Sequence, residues 1–480
     1  MSRPRMWACA LLAVVNAALW AVVTPPLYVI DEPAHFGYVQ YLAEAKRPPP
    51  PPPEPLPAYA GEQEVLLDGV PFSLEGRPSW SAADEAEVRR QLERGQFRAD
   101  ETAARGAATY APLYYVYEAI PAWLGSSLPA LDRLYLMRLF SALLAGVTVG
   151  ATFLFLRELL PGTSWAWTVG ALVVGFQPVF GFMSGAVNND GLLYAAGAML
   201  LFLLARSFRR GLTARRGVAI GAAAAAGVLT KTTMVGLLPG AALGLGLLWW
   251  RTTGAPRRAA GRGALAAGAV FGAATAAWFS ADVLVFGRPL AAATGGMASG
   301  AVGEVTSLRG QLSYLWQFFL PRLPGMTDAF PTYPEYPLWD VYIQGFIGRF
   351  GWFQYGFPMW VDRVGLGLLT VVGALAGVEL ARSREALRRR WPELCTYVVM
   401  LVGTLLLLGV TGYRFRAAEG LNFEQPRYLF ALLPLYGGVV ALAARGVGRR
   451  WGHTAGVMLV VVAAWHSLFS FLLSINRYYV

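Results

Sequence analysis

"WACALLAVVNAALWAVVTPPLYVIDEPAH", residues 7–35, passes from an uncharged apolar segment straight into a group of ionisable side chains. As a helix, residues 7–24 would measure about 27 Å at 1.5 Å per residue, close to the thickness of a bilayer core. Arg3 and Arg5 precede the run as they would in a signal peptide, but no small-residue cleavage site comes before Pro25 and Pro26. The run is therefore expected to stay as a first membrane span. Asp31, Glu32 and His35 stand where it ends.

The same apolar pattern recurs along the chain. Of 480 residues, 56% are hydrophobic and 54 are glycine, and the mean hydropathy is +0.45. Such a composition excludes an ordinary soluble protein and points to an all-α polytopic membrane protein. Further runs long enough to cross a bilayer lie near 134–156, 164–182, 191–206, 217–232, 235–250, 263–284, 361–381, 392–411, 428–444 and 454–474, making about eleven transmembrane helices in all. Cys9 and Cys395 both sit inside apolar runs, so neither a disulfide framework nor a zinc-ligand spacing is available.

A net charge of +11 would suggest nucleic-acid binding in a soluble chain. Here the arginines gather in short loops: "RSFRRGLTARR" (206–216), "RTTGAPRRAAGR" (251–262), "RSREALRRR" (382–390) and "RGVGRR" (445–450). With the N-terminus cytoplasmic, all four fall on the cytoplasmic side, as the positive-inside rule requires. Asp31 and Glu32 then face the extracytoplasmic side. No nucleic-acid motif stands out.

Two outer regions, 25–133 and 285–360, are longer than connectors need to be, and loops of that length commonly carry function. They suggest a division into an N-terminal module, 1–250, and a C-terminal module, 251–480. In the first loop, "DEPAHFGYVQYLAEAK" predicts a helix along the membrane surface, with Pro33 in its first turn. The proline run 48–53 would stop it and act as a stiff spacer. "SAADEAEVRRQLERG" predicts a second helix, with Ser81 and Asp84 at capping-box spacing. "APLYYVYEAIPAWL" (111–124) is short and contains Pro121, which predicts an interfacial or re-entrant segment rather than a span. In the second loop, Trp316, Trp339, Trp352 and Trp360 suit an interfacial aromatic belt better than a sugar platform.

Four points could carry chemistry. Asp31 and His35, four residues apart, share a helix face while Glu32 points away; a charge pair at a helix N-terminus is the simpler alternative. In "SGAVNNDGLL", Asp190 follows Asn188 and Asn189 on the same side of the bilayer as Asp31, although helix capping also explains these residues. Lys231, in "GVLTKTTMVG", lies about 22 Å from the cytoplasmic end of its segment, at outer headgroup depth; snorkelling is the alternative. "FEQPRYLFALLP" places Arg427 at the same depth, either as a phosphate fork or, with Tyr428, as an interfacial anchor.

Together with "YAPLYYV" (110–116) and "YLMRLFSALLAG" (135–146), these segments resemble, in order, the GT-C superfamily of membrane glycosyltransferases, and more narrowly a bacterial branch with a DEPAH motif after the first span. The resemblance covers about 25–437. It implies a GT-C-like fold in the bacterial cytoplasmic membrane and an inverting transfer of sugar from a polyprenyl-phosphate carrier to an extracytoplasmic glycan, lipid or protein. It also implies Asp31 as catalytic base, Glu32 and His35 orienting it, and Asp190 as the acid of the second outer loop. Lys231, Arg427 and Arg138 would bind the carrier phosphate, and Tyr114, Tyr115, Asn189 and Tyr428 would touch substrate. Where other superfamily members carry a DxD-like pair, sometimes with a divalent metal, this chain has Asn-Asn-Asp, so neither Mg nor Mn is favoured.

A transporter or flippase of lipid-linked sugar, and a non-catalytic carrier-binding protein, are the competing readings. Ion-coupled transporters place ionisable groups near the bilayer midplane, whereas Asp31, Asp190, Lys231, Asp282 and Arg427 all map toward outer ends.

Overall fold

The computed structural model of the protein describes residues 2–50, 79–94, 107–288, 308–326, 338–351, 353–419 and 424–480. Residues 51–53 of the proline run, most of the acidic first loop and Trp352 lie outside them. The architecture is that of an all-α polytopic membrane protein. Among the described residues, nine helices are long and apolar enough to cross a membrane, and ten do so if a bent pair is one span.

The elements used below are α1 (Ser2–Val23), α2 (Glu32–Ala45), α3 (Ala82–Arg94), α4 (Leu113–Leu124), α5 (Ala130–Leu159), α6 (Ser164–Gly175), α7 (Pro178–Ser184), α8 (Asp190–Arg210), α9 (Ala214–Val228), α10 (Leu238–Arg251) and α11 (Gly254–Leu284). The chain continues through α12 (Leu308–Phe319), α13 (Met359–Arg382), α14 (Trp391–Glu419), α15 (Leu433–Gly446) and α16 (Gly452–Tyr479). Each of the eleven expected segments is helical, but the one expected over 217–232 stops at Val228. With 15 residues it measures about 22 Å, shorter than the nine or ten helices counted above, yet it runs from the arginine-rich loop 206–216 to Lys231.

The soluble-looking helices form as their sequences suggest. Ser81 Oγ accepts from Asp84 N at 3.2 Å while Ser81 N donates to the Asp84 carboxylate at 2.7 Å, a reciprocal cap on α3. Pro33 sits in the first turn of α2, which ends at a left-handed Lys46. α4 is a 12-residue helix containing Pro121, too short to span. α2 does not lie open on a surface, since Glu32, Pro33 and the residues from His35 to Tyr41 are buried. One feature was not foreseen: Arg349–Phe350 pairs antiparallel with Tyr355–Gly356. Trp20 of α1 stacks on Phe350 at 5.2 Å and on Phe471 of α16 at 4.3 Å, which fastens this hairpin to the bundle.

The arginine clusters converge at one end of the bundle. Arg210 pairs with Glu158 at 3.1 Å, Arg445 with Glu379 at 2.8 Å, Arg382 donates to Gly446 O, and Arg390 donates to Leu159 O. At the opposite end the helices break. α6 and α7 bend by 62° at Gln177-Pro178, because proline cannot continue the preceding helix. 3₁₀ turns, Thr232–Leu237 and Pro426–Leu432, precede α10 and α15. Irregular backbone at membrane depth is tolerated only where it is buried in protein or lines a cavity.

α8 meets the second 3₁₀ turn through glycine. A Cβ on Gly197 of α8 would stand 2.4 Å from the Ala431 carbonyl oxygen, so only glycine lets α8 approach the second 3₁₀ turn this closely. The contact sets α8, which begins at Asp190, against the turn that carries Arg427. Gly197→Val is expected to lower stability by about 1–3 kcal/mol through overpacking, read as a lower Tm in detergent. An unchanged Tm would show that the turn yields freely.

Candidate active site

Buried arginines must place five N–H donors, and Arg138 of α5 places all of them. Its Nε and Nη2 donate to Glu32 at 2.8 and 2.6 Å, Nη1 to Ala21 O and Thr24 O at 2.9 and 2.6 Å, and Nη2 also to Pro25 O at 2.8 Å. Glu32 Oε1 accepts in addition from Val187 N at 3.0 Å. Both side chains have 0% accessibility. This corrects two expectations. Arg138 has no donor left for a phosphate, and Glu32 is turned away from any reacting centre; the pair joins the end of α1, the start of α2 and the loop before α8.

Asp31 and Asp190 leave this joint on the same side. Asp31 adopts the left-handed conformation (φ 63°) and makes no side-chain cap on α2. Its carboxylate bonds instead to Arg427 Nη2. Asp190 Oδ1 accepts from Lys231 Nζ at 2.6 Å, and its Oδ2 lies 3.1 Å from Arg427 Nη1. The four side chains, 41 to 396 residues apart in sequence, thus form one cluster of two carboxylates and two cations. Equal numbers of charges are what makes burial of such a group affordable, because an unpaired buried ion costs several kcal/mol.

The members differ in access and in satisfaction. Asp190, Lys231 and Arg427 are 0–3% accessible, whereas the Asp31 side chain keeps 35%. Arg427 Nε and Nη1 are buried and lack a hydrogen-bond partner, the opposite of Arg138. Tyr428 lies under both cations, its ring centroid 5.0 Å from Lys231 Nζ and 5.2 Å from Arg427 Cζ. Burial would raise the Asp31 carboxyl, but Arg427, helped by Lys231, outweighs it and holds the group below the usual carboxylate range.

His35 Nδ1 lies 2.9 Å from the Tyr115 hydroxyl, and Tyr115 stacks on Tyr38 at 3.6 Å. Burial, the largest influence, drives the imidazole down to about 3; Lys231 and Arg427 add to this and Asp31 and Asp190 oppose it. His35 is thus a neutral neighbour of the cluster. Asn189 is fully buried and donates to Thr230 O at 3.3 Å, beside Lys231. Tyr114 is drawn into the α4–α5 contact, its hydroxyl 2.8 Å from Ser141 Oγ, and does not face the opening. Asp282 pairs with Arg288 at 3.3 Å outside the cluster.

Two residues escaped the sequence reading. Half-buried Tyr110, whose ring centre is 5.9 Å from Lys231 Nζ and 5.8 Å from that of His35, borders the cluster; it heads the "YAPLYYV" segment already singled out. Glu118 accepts from Ser141 Oγ at 2.8 Å with no ion pair among the described residues, and burial lifts its carboxyl well above the usual range. Asp190 Oδ1 accepts from Lys231, its Oδ2 faces Arg427 as an ion pair, and Asn188 Oδ1 accepts from Asp190 N. Among the described residues no three His, Cys, Asp or Glu side chains converge.

Beside the cluster, α6, α13, α15 and α16 border an apolar hollow of about 590 Å³, open on the side of the exposed Trp360, Val364 and Phe469. The charged groups do not line it. Phe346, from its wall, packs edge-on against Phe430, three residues beyond Arg427.

A family model described as "Predicted membrane protein (DUF2142)" matches residues 15–436, and the chain belongs to that family. No curated protein matches the chain. Among solved structures, it is similar to the crystal structure of the Archaeoglobus fulgidus oligosaccharyltransferase in the apo form, with 12% identity and a TM-score of 0.43 over 98% of this chain and 56% of that one. The chain therefore spans little more than half the length of that protein.

Arg138→Met leaves Glu32 buried and unpaired, and is expected to cost about 3–5 kcal/mol, seen as loss of folded protein on extraction. An Arg138→Met protein as stable as wild type would remove the joint from the account. His35 gives a pH signature. Its folded-state pKa lies below the unfolded value, so its contribution is fully present above about pH 6.5 and is lost as pH falls toward 3, by up to about 1.4 kcal/mol per pH unit. Melting curves across that window should fall less steeply for His35→Gln; equal slopes would contradict a neutral buried imidazole.

Proposed function

We propose that this family member is an inverting membrane glycosyltransferase that moves a sugar from a polyprenyl-phosphate carrier to an acceptor hydroxyl outside the cytoplasm. The observation that carries the reading is Arg427: a buried guanidinium whose Nε has no partner and whose Nη1 meets Asp190 only as an ion pair, beside Lys231 and next to the one accessible carboxylate of the cluster. Unmet buried donors are costly, and a phosphate oxygen satisfies arginine better than most groups. The apolar hollow beyond Phe346 supplies room for part of the carrier chain.

In this reading the carrier phosphate takes Arg427 and Lys231 as ligands and draws Arg427 away from Asp31. The carboxylate, held acidic by that pair, becomes more basic when substrate arrives. Asp31 then accepts the acceptor's hydroxyl proton as the oxygen attacks the anomeric carbon. The bond from that carbon to the phosphate oxygen breaks, its electron pair leaves with the phosphate, and Arg427 and Lys231 meet the added charge. Direct displacement inverts the anomeric configuration. Tyr110 and Tyr428 border the space for sugar, Asp190 holds both cations, and Tyr115 with neutral His35 walls the Asp31 side. The arginine-rich opposite end supports an extracytoplasmic site through the positive-inside rule, and charges gathered at one end favour an enzyme over a conduit.

The test is the amount of polyprenyl-phosphate-linked sugar in membranes of cells lacking the protein, complemented with wild type, Asp31→Asn or Arg427→Gln. One lipid-linked sugar should accumulate in the deletion and be cleared by wild type only. In purified protein Asp31→Asn should retain carrier binding and lose about 10²–10⁴-fold in transfer rate, whereas Arg427→Gln should lose binding. Clearance by Asp31→Asn would sink the assignment of the base, and transport of an unconsumed carrier would replace the enzyme reading.

A further inference from the structure

At the arginine-rich end, remote from the cluster, α1, α5 and α8 enclose a second cavity of about 630 Å³. Arg3, Met6 and Trp7 line it from α1, Leu154 and Arg157 from α5, and Phe202, Arg206 and Arg210 from α8. Four guanidiniums therefore face one space. Among the described residues, the one carboxylate paired with them is Glu158, 3.1 Å from Arg210 and 3.8 Å from Arg157. Arginines near helix C-termini complement the helix dipole and satisfy the positive-inside rule without a ligand. Neither effect explains a cavity, nor why Arg157 Nε is buried without a hydrogen-bond partner. The guanidiniums also repel one another. An anion in the cavity would relieve both.

The walls narrow the choice of anion. Met6, Trp7, Leu154 and Phe202 make half of the lining apolar, and Arg206 lies 5.8 Å from the centre of the Phe202 ring. Trp7 is 66% accessible, and Leu11, Val15, Leu19 and Val22 continue an exposed apolar stripe along α1. A molecule with its charge among the arginines would have its apolar part on that stripe. A free inorganic anion would use the guanidiniums alone, whereas a lipid also uses the apolar half of the lining and the lipid-facing side of α1 that continues it. We propose that this cavity binds the phosphodiester headgroup of an anionic phospholipid, whose acyl chains lie along α1. Basic pockets between transmembrane helices suit such headgroups, and planar guanidiniums suit their oxygens. The site is independent of the glycosyl-transfer reading. It braces α1, α5 and α8, the helices whose far ends lead to Asp31, Arg138 and Asp190.

The experiment uses full-length protein purified in detergent and delipidated, its melting followed during titration with phosphatidylglycerol, phosphatidylcholine or inorganic phosphate. Phosphatidylglycerol should raise the Tm of wild type at concentrations where phosphatidylcholine and inorganic phosphate do not. In Arg157→Gln/Arg206→Gln the midpoint for phosphatidylglycerol should move up by about tenfold or more, the loss of roughly one charge-assisted contact. If that variant does not fold, Arg3→Gln/Arg206→Gln, at less buried positions, takes its place with the same expected shift. Equal stabilisation by phosphatidylcholine, by inorganic phosphate, or in both folded variants overturns the proposal.

Discussion

The five-donor arrangement of Arg138 is the constraint on which the site rests. An arginine enclosed at 0% accessibility is tolerable only when its charge and all its N–H groups are met, and Glu32 together with three carbonyls at the end of α1 does this. Glu32 follows Asp31 directly and binds Val187 N, three residues before Asp190. Fixing one buried ion pair therefore fixes where two other carboxylates emerge. It also explains how Asp31 is held at a positive φ, a conformation that costs about 1–3 kcal/mol for a non-glycine residue unless its surroundings impose it.

Arg427 shows what a buried arginine looks like when the protein leaves it incomplete. Both of its carboxylate partners are shared or exposed, and Nε and Nη1 have no hydrogen-bond partner. Its position in a 3₁₀ turn rather than a regular helix lets it approach α8, and Gly197 provides the room. The cluster is neutral as it stands, so it is stable enough to be preformed, yet an incoming anion can redistribute its contacts. A carboxylate kept acidic by an arginine becomes a base when that arginine finds a better partner, which couples proton abstraction to the arrival of substrate.

The two ends of the bundle use charge differently. At one end, carboxylates and cations match in number inside irregular backbone. At the other, guanidiniums exceed carboxylates around an open-sided cavity, and the imbalance itself calls for an anion. The same three helices connect the ends, so the packing that seats Asp190 and Arg138 begins beside Arg157 and Arg206.

Residues 7–24 and their repeats decide the all-α membrane class by length and apolarity alone, since a backbone in lipid must satisfy its own hydrogen bonds. The capping box at Ser81 and Asp84 and the early Pro33 of α2 are local and equally legible. Asp31, Asp190, Lys231 and Arg427 could be singled out because ionisable groups are rare beside long apolar runs. What they do to one another could not be read, because contacts spanning up to 396 residues depend on how helices pack. Arg138 and Arg427 look alike in sequence, each a lone arginine near the outer end of an apolar run. Only the tertiary structure separates them, by surrounding one with five acceptors and leaving the other with a buried Nε that meets none.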